Sequence, residues 1–410
     1  MPHSNAVPMP LPIVDLISHQ LQRLQERLAV VEPEQASLTE AMGRVLAQPI
    51  VAFRDSPALD VSAMDGYAVR LEDIGTKPLP VTGTTTAGSM PVELTPKTAI
   101  RIFTGAAVPQ GTEAVVPREH CIESEHQIVI EGAANRYSMG TNIRRRAENA
   151  SRGELVQSPG CLIDGPRAST IATFHESRFL TIRRRLSVSI INTGDELIEA
   201  GEPLQPWQIR DSNGPLLHTM LDAYSWITVR RIQAKDDADE IKNRIREALD
   251  QSDAILLTGG VSMGDTDHVP GAIQATGSEI VFHKLPIRPG KPILGAVGPR
   301  GQLIMGLPGN PVSVAVTFRR FAYPLLCQVS GQSGLKFSVP AQVQTSDEKT
   351  LDLVWFRLVN FKEPGIAEIL SNQGSGDLAA LGRSHGFVEI PAGATSNGSF
   401  QFYDWKGLAL

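Results

Sequence analysis

The sequence is short of cysteine and of long apolar runs, and both shortages exclude whole classes of protein. Its three cysteines are odd in number and widely separated, which argues against a disulfide framework and a zinc motif. We expect inert thiols in a reducing cytoplasm. No stretch of about 18 apolar residues occurs, so we predict no membrane span. Residues 1–12 lack the basic start and apolar core of a signal peptide.

Positive charge and aromatic residues are also scarce. The formal net charge of −6 gives no overall attraction for nucleic acid or an anionic membrane, so we expect neither as a partner. An anionic substrate would therefore need a local basic site. Aromatic residues make up 5% of the chain, whereas glycine and proline number 36 and 29, which favours many strands joined by tight turns. A length of 410 residues indicates about two to four domains.

The first part of the chain predicts a helical segment followed by a β domain. Apolar residues recur at helical spacing across residues 13–28 and predict an amphipathic helix. Ser37 and Glu40 have the spacing of a capping box, which predicts a second short helix. From about residue 50 to 155, short β-type runs alternate with glycine and proline, which indicates a mostly β domain.

The centre of the chain alternates strand and helix patterns. Strands are predicted at 186–191, 226–232, 254–257, 281–282, 293–296 and 303–307, and helices at 213–221, 241–249 and 312–329. Such alternation predicts a doubly wound, largely parallel sheet. After Gly334 the helical signal fades, and short β-type runs predict a small C-terminal β domain.

Unusual loops follow several of these strands. In an open α/β sheet, ligands bind at the carboxyl ends of the strands. This chain places Thr193–Glu196, Thr258–Asp267 and Leu307–Ser313 at such ends. Their glycines allow close backbone approach, and amides at the following helix can hold a phosphate. Residues 284–292 add three cations between prolines, and the carboxylates suit a hard divalent metal. Cations and metal together would neutralise a reacting phosphate.

Each of these features has a purely structural alternative. Gly259-Gly260 alone is equally consistent with an ordinary turn, and Asp195 with a helix cap. The three cations of residues 284–292 are equally consistent with a solvated surface. Their convergence at one predicted sheet edge favours an enzyme or binding protein for a phosphorylated ligand.

Seven strings along the chain resemble one family. They are Ser62–Val69, Arg101–Pro109, Thr193–Leu197, Asp211–Asn213, Gly259–Gly264, Lys284–Pro292 and Leu307–Ser313. The family is the molybdopterin molybdenumtransferases, which include the bacterial MoeA proteins and the E domain of animal gephyrin. The resemblance runs from about Pro12 to Leu410, with the strings in order and at compatible spacing.

This resemblance implies an elongated α/β and β multidomain chain. It has a central doubly wound α/β molybdopterin-binding domain, an inserted β domain and a C-terminal β-barrel-like domain. On this plan domain I comprises residues 1–50 (helical) and 152–183, domain II is 51–151, domain III is 184–330 and domain IV is 331–410. The family also implies a homodimer, with each active site between domains III and IV of one subunit and domain II of the other.

The resemblance further implies the reaction. The substrates would be adenylylated molybdopterin and molybdate. Cleavage of the pterin–AMP phosphoanhydride would release AMP and leave molybdenum on the dithiolene, with Mg²⁺ as the cofactor. The molybdopterin adenylyltransferase, which acts one step earlier, is an expected partner. In physical terms, carboxylates would hold the metal while metal and cations offset the charge that develops during cleavage.

Site residues follow from the same match. The catalytic set is Glu196, Asp65, Thr104, Asp267, Lys284 and Arg288, and the metal ligands are Glu196, Asp236 (or its neighbour Asp237), Asp265 and Asp267. Substrate would contact Thr193, Gly194, Asp195, Ser212, Gly259, Gly260, Ser262, Gly264, Lys291, Pro308, Gly309, Asn310, Pro311, Arg144, Arg357 and Ser375. Asp65 and Thr104 would reach across the dimer. The Thr104 hydroxyl would donate to an oxyanion, or alternatively bond its own turn. Arg357 is equally consistent with a surface strand residue.

Two positions depart from the family pattern. Asn149 replaces the aspartate of a Gly-Glu-Asp string and so loses a negative charge. Arg288 stands where lysine is common, which keeps the charge but makes the group planar and bidentate. The first departure is consistent with a paralogue of reduced activity, although the main catalytic strings are intact.

Two rival functions remain. One is a carrier or scaffold that binds the pterin without turnover, which Asn149 favours and Glu196 with the basic residues opposes. The other is the adenylyltransferase itself, which shares the α/β domain. That enzyme normally lacks the flanking β domains, and this chain has both.

Overall fold

A computed structural model describes residues 12–75, 77–131, 134–261, 267–345 and 347–406. Contacts divide the chain into two compact units. The first comprises Met1–Gln48, Pro159–Asp164 and Phe179–Leu410, and the second comprises Pro49–Ser158 and Gly165–Arg178. No helix in the described residues is long and apolar enough to cross a membrane.

The first unit begins with helix α1 (Ile13–Gln25) and strand β1 (Pro33–Ser37). The amphipathic helix is confirmed: Ile17 and Leu24 are buried on one face. The second helix predicted at Ser37 is wrong. Ser37 and Glu40 do form the capping hydrogen bonds, with the Ser37 amide 3.0 Å from Oε2 of Glu40. However, pairing with residues 179–183 keeps β1 extended, and Gly43 at φ +69° redirects the chain after a single turn.

The second unit is built from short strands, as the sequence predicts. Within the described residues these are β2 (Ile50–Val51), β3 (Val61–Ser62), β4 (Gly66–Val69), β5 (Leu79–Thr85), β6 (Ala99–Ile102), β7 (Ala114–Pro117), β8 (Cys121–Ser124), β9 (Gln127–Ile130), β10 (Ile143–Arg144) and β11 (Leu155–Gln157), followed by helix α2 (Gly165–Phe174). Short 3₁₀ turns cover Leu71–Asp73, Arg118–His120 and Ala134–Arg136. Six strands form one sheet in the order β7-β4-β6-β5-β9-β8, while β3 pairs with β10 and β2 with β11. Tyr67, Val69, Val116 and Ile128 lie in its core.

The first unit continues with an α/β region. Its strands are β12 (Phe179–Arg183), β13 (Leu186–Thr193), β14 (Leu197–Ile198), β15 (Ile209–Arg210), β16 (Ile227–Ala234), β17 (Ala254–Thr258), β18 (Glu279–His283), β19 (Ile287–Arg288), β20 (Leu294–Val297) and β21 (Leu303–Leu307). Its helices are α3 (Asn213–Asp222), α4 (Ala238–Gln251), α5 (Val269–Ala275), α6 (Pro311–Thr317) and α7 (Tyr323–Val329), with a π-helical stretch Phe318–Ala322 joining the last two.

One mixed sheet organises this region, in the order β16-β13-β17-β21-β20-β18. The first four strands are parallel and the last two connections are antiparallel, so the predicted largely parallel sheet is confirmed. Helices cover both faces. Val188 and Ile190 of β13 pack toward α3, α6 and α7, whereas Ile191 packs toward α4 and α5. Burial on both faces explains why the 254–257 run is apolar throughout.

The C-terminal strands close into a five-stranded barrel. They are β22 (Val339–Val343), β23 (Val354–Glu363), β24 (Ile366–Ile369), β25 (Gly386–Ile390) and β26 (Gly398–Asp404), with helix α8 (Leu378–Arg383) between β24 and β25. Pairing runs β23-β24-β22-β26-β25 and returns to β23, which leaves these strands no free edge. Val343, Val359 and Val388 fill its interior. The predicted barrel-like domain is therefore confirmed.

A buried arginine joins the barrel to the helical layer. Arg319 lies in the π-helical stretch and is 1% exposed. Its Nε donates to the carbonyl oxygen of Asp404 at 2.7 Å, and Nη2 donates to that of Phe337 at 2.9 Å. The rings of Tyr323 and Tyr403 lie 5.2 and 5.9 Å from its guanidinium carbon. A buried charge is tolerated here because carbonyl oxygens accept its N–H groups, the Asp404 carboxylate lies 3.8 Å from Nη2 and aromatic rings flank the guanidinium.

We predict that Arg319→Met destabilises the protein by about 3 kcal/mol, because two partly buried carbonyl groups and the Asp404 carboxylate lose their charged partner. Arg185→Met, at an exposed arginine of the same unit, is the matched control and is expected to change stability by less than about 0.5 kcal/mol. Urea unfolding of both variants measures the difference. Equal midpoints would show that Arg319 contributes nothing beyond its aliphatic stem.

Candidate functional site

The site begins where parallel strands end together. Neighbouring strands β16, β13, β17 and β21 all point the same way, and their last residues are Ala234, Thr193, Thr258 and Leu307. Adjacent ends are tied by a hydrogen bond from Nδ2 of Asn192 to Oγ1 of Thr258 at 2.7 Å. The loops that follow therefore emerge side by side along one edge of the sheet.

Glycines let these loops come close to one another. Gly259 has φ +89°, and a Cβ there would lie 2.6 Å from the carbonyl oxygen of Thr193. Gly260 follows at φ +58°. A Cβ on Gly309 would lie 3.8 Å from the Cα of Gly259, which places the Pro308–Asn310 loop beside the Gly259-Gly260 turn. This turn therefore needs glycine for close packing as well as for its backbone conformation.

Three carboxylates gather at the same edge. The Asp236 amide donates to Oδ1 of Asp195 at 3.4 Å, and a Cβ on Gly194 would lie 2.8 Å from Oε2 of Glu196. Loss of water around its carboxyl group raises the pKa of Asp236, the charges of Glu196 and Asp195 raise it further, and His268 opposes the shift. Three carboxylates that repel one another in this way favour the binding of a cation.

The neighbouring Asp237 has a structural role. Its carboxylate accepts the amide of Glu240 at 2.8 Å and caps α4. Of the two alternatives considered from the sequence, Asp236 is therefore the one that faces the other acids.

A complete metal centre is not assembled within the part of the chain that the structure describes. There, no group of three or more His, Cys, Asp or Glu side chains is arranged to hold a metal ion. Ser262, Gly264 and Asp265 lie outside the described residues. Asp267 lies just before α5. The donor set nevertheless suits Mg²⁺, which prefers carboxylate oxygens.

The basic loop emerges at this edge as well. Two antiparallel steps, from β21 to β20 and from β20 to β18, restore the common strand direction, so β18 also ends here. Its last residue, His283, donates from Nε2 to the carbonyl oxygen of Val261 at 2.8 Å. Lys284 follows directly, with Arg288 and Lys291 further along the loop.

The cations of this loop are exposed on a well-anchored backbone. Among the described residues, Lys284, Arg288 and Lys291 form no ion pair. The Leu285 amide donates to the carbonyl oxygen of Lys291 at 3.0 Å, and a Cβ on Gly290 would lie 2.4 Å from Cγ2 of Thr317. Strand β19 within the loop also pairs with β23 of the barrel. The three charges are thus available to an anion, and the backbone that carries them is already ordered.

The Pro308–Pro311 loop is held from two sides. Nδ2 of Asn310 donates to Oγ of Ser375 at 3.0 Å, which places Ser375 at this edge. Nδ2 of Asn213 donates to the carbonyl oxygen of Gly309 at 2.7 Å. Asn213 is 8% exposed and directly follows the predicted site residue Ser212, but its partner Gly309 is too distant in the sequence for this role to be read from the Asp211–Asn213 string.

Arg357 is engaged within the barrel. Its guanidinium pairs with Asp347, donates to Oγ of Ser396 at 3.0 Å and lies 4.4 Å from the ring centre of Trp355. The hydrogen bond from Arg357 is the main reason that the pKa of Asp347 is lowered. A substrate contact at Arg357 would have to compete with this pair.

In the second unit, Asp65 and Thr104 bond to each other. Oδ1 of Asp65 accepts the Thr104 amide at 2.8 Å and its hydroxyl at 2.7 Å, and both bonds lower the pKa of Asp65. The hydroxyl therefore bonds Asp65, a residue distant in the sequence, and neither its own turn nor an oxyanion. Both residues remain exposed.

Arg144 and Asn149 also bond locally in the second unit. Nη2 of Arg144 donates to the side-chain Oδ1 of Asn149 at 2.6 Å. The backbone amide of Asn149 donates to the carbonyl oxygen of Ser56 at 2.8 Å. Position 149 therefore takes part in local hydrogen bonds of the second unit, and an aspartate there could accept the same bond from Arg144.

Comparison with known proteins identifies the family. Residues 16–174 match the MoeA N-terminal region (domain I and II), and residues 189–328 match a probable molybdopterin binding domain. A molybdopterin molybdenumtransferase from Haemophilus influenzae is 34% identical over 308 residues, which cover 74% of this chain and 75% of that protein. One from Nostoc sp. is 31% identical over 384 residues, covering 89% and 86%.

A solved structure supports the same relationship. The molybdopterin biosynthesis MoeA protein from Pyrococcus horikoshii superposes with a TM-score of 0.78 at 26% identity, covering 96% of this chain and all of that one. Fold, ordered strings and sequence identity over most of the length agree, and the chain therefore belongs to the molybdopterin molybdenumtransferase family.

Proposed function

We propose that this protein inserts molybdate into adenylylated molybdopterin and releases AMP during molybdenum cofactor biosynthesis. The observation that carries the proposal is that loops with carboxylates and a loop with unpaired cations all leave the same end of the sheet strands. Asp195, Glu196 and Asp236 lie at the ends of β13 and β16, and the loop with Lys284 and Arg288 follows β18. A site with both signs of charge suits a substrate whose phosphates are neutralised in part by a metal.

The residues at this edge would divide the work. Glu196 and Asp236, with Asp265 and Asp267, would hold Mg²⁺, which supplies positive charge next to the phosphoanhydride. Lys284, Arg288 and Lys291 would bind phosphate oxygens and offset the charge that develops on the bridging oxygen as the bond breaks. The Gly259-Gly260 turn would allow the phosphates to approach the backbone closely.

We further propose that the protein works as a homodimer. In this proposal Asp65 and Thr104 of a second subunit complete each site, and molybdopterin adenylyltransferase delivers the substrate. The support is the resemblance of the Ser62–Val69 and Arg101–Pro109 strings to the family, together with the exposure of Asp65 and Thr104.

We expect Glu196→Gln to reduce molybdate-dependent AMP release by about 100-fold or more, because one charge that positions the metal is lost. Pterin binding and thermal stability should stay close to the wild type. Glu202→Gln is the matched control, since Glu202 is exposed on the segment that follows. Turnover of the Glu196 variant equal to that of the control would remove Glu196 from the catalytic residues.

A mixing experiment tests the shared site. Thr104→Trp and Glu196→Gln subunits, each inactive alone, should regain part of the activity when they form heterodimers, because one composite site is then undamaged. Heterodimer content is measured by differential tagging. Heterodimers of two folded variants that show no recovery of AMP release would contradict a site completed in trans.

Restoring the family aspartate tests the carrier alternative. Asn149 bonds to Arg144 and Ser56, so we expect Asn149→Asp to leave the rate of AMP release and its Mg²⁺ dependence unchanged. A charge-assisted bond to Arg144 would raise thermal stability slightly. Titration of AMP release against Mg²⁺ measures the effect. A several-fold shift of the midpoint would instead connect position 149 to the metal and support reduced activity in the natural chain.

A further inference from the structure

A tryptophan is largely exposed on the segment that follows Glu196. Trp207 is 75% exposed, and its neighbours Leu204 and Ile209 are 45% and 56% exposed. All three lie on residues 197–210, the segment between Glu196 and Asp211. Large exposed apolar groups that cluster on one short segment usually mark a binding surface.

The indole stands on a well-defined turn. The Gln208 amide donates to the carbonyl oxygen of Gln205 at 3.0 Å, and the Gln205 amide donates to Oε1 of Gln208 at 3.1 Å. These two bonds fix the turn on either side of Trp207. Packing of the described residues does not bury the ring, so the fold gains little from a tryptophan at this position.

Both ends of the segment are attached to the site. The Ile209 amide donates to the carbonyl oxygen of Glu196 at 2.9 Å. On the other side, Nε2 of Gln233 donates to the carbonyl oxygen of Leu197 at 2.9 Å, and Gln233 belongs to β16, which leads to Asp236. The turn with Trp207 therefore projects from the carboxylate edge itself.

The chemistry of this turn suits an uncharged ring. Residues 203–209 read Pro-Leu-Gln-Pro-Trp-Gln-Ile and carry no charge, and of the charges on either side Glu199 is paired with Arg231 at 2.8 Å while Arg210 donates to the carbonyl oxygen of Glu199 at 2.6 Å. A flat indole with two flanking amide side chains instead offers a stacking face and hydrogen-bonding groups. Stacking of a base on an aromatic side chain contributes about 1–3 kcal/mol.

We propose that Trp207 binds the substrate by stacking on a planar nitrogen heterocycle. This inference rests on the proposed function, because the proposed substrate carries two such rings, the purine of its adenylate and the pterin. Trp207 is then a binding residue that raises substrate affinity, while the carboxylates and the basic loop act on the phosphates.

Tryptophan fluorescence of the full-length protein identifies the ring. The chain has four tryptophans, of which Trp226 is buried and Trp355 and Trp405 are partly buried. AMP presents the purine and neopterin presents a pterin without phosphate. We expect one of these probes to quench the wild-type emission, and Trp207→Phe to lose that quenching. No quenching by either probe, or equal quenching in the variant, would overturn the proposal.

Steady-state kinetics provide the second test. Trp207→Ala should raise KM for adenylylated molybdopterin about tenfold, equivalent to about 1.4 kcal/mol, with kcat unchanged. Trp207→Phe should stay within about twofold of the wild type because it keeps a stacking face. Val339→Ala removes an exposed apolar group of the barrel and should have no effect. An equal rise of KM in the Val339 variant would overturn stacking, and so would conversion of the Trp207→Ala protein to a different oligomer, which would assign the segment to a protein interface.

These measurements distinguish the proposed reaction from the proposed binding of a ring by Trp207. Molybdate-dependent AMP release by the wild type decides the overall reaction. If that release is absent while AMP or neopterin still quenches Trp207, the reaction fails and ring binding stands. If release is present and neither quenching nor a change of KM is seen, the reaction stands and ring binding fails.

Discussion

The common direction of five strands determines where chemistry can occur in this protein. Strands β16, β13, β17 and β21 are parallel, and two antiparallel steps bring β18 back to the same direction. All five therefore deliver the loops that follow them to a single edge. Carboxylates follow β16 and β13, glycine turns follow β17, a proline-framed loop follows β21 and cations follow β18. If β18 ran the opposite way, Lys284 would emerge at the far edge of the sheet.

Among the described residues, the carboxylates and the cations at this edge do not form ion pairs with each other. Both therefore remain able to bind a ligand. Ion pairs elsewhere in the chain, such as Arg184 with Asp253, satisfy both partners within the fold. At the candidate site the pKa of Asp236 is instead raised by lost hydration and by the charges of Glu196 and Asp195, and the three cations of the basic loop are unpaired within the described residues. A metal would neutralise the carboxylates, and a phosphorylated ligand would neutralise the cations. A surface whose charges were already paired would have no reason to bind either of them.

Strand positions and the site loops could be predicted from sequence because their signals are local. Apolar runs, glycines and prolines mark them directly, as in residues 254–260. Other features depend on distant partners. The helix expected at Ser37 gave way to pairing with residues 179–183, and the bond between Thr104 and Asp65 joins residues far apart in the chain. Asn213 also depends on a distant partner. It lies in the Asp211–Asn213 string that resembles the family, but its bond to Gly309 spans 96 residues.

The central claim is that this edge of the sheet cleaves a pterin–AMP phosphoanhydride in a reaction that consumes molybdate. The most direct test incubates the purified protein with adenylylated molybdopterin and Mg²⁺, with and without molybdate, and measures AMP. The account predicts AMP release that depends on both molybdate and Mg²⁺, with molybdenum recovered on the pterin. Tight pterin binding without AMP release under these conditions would contradict it and identify the protein as a carrier.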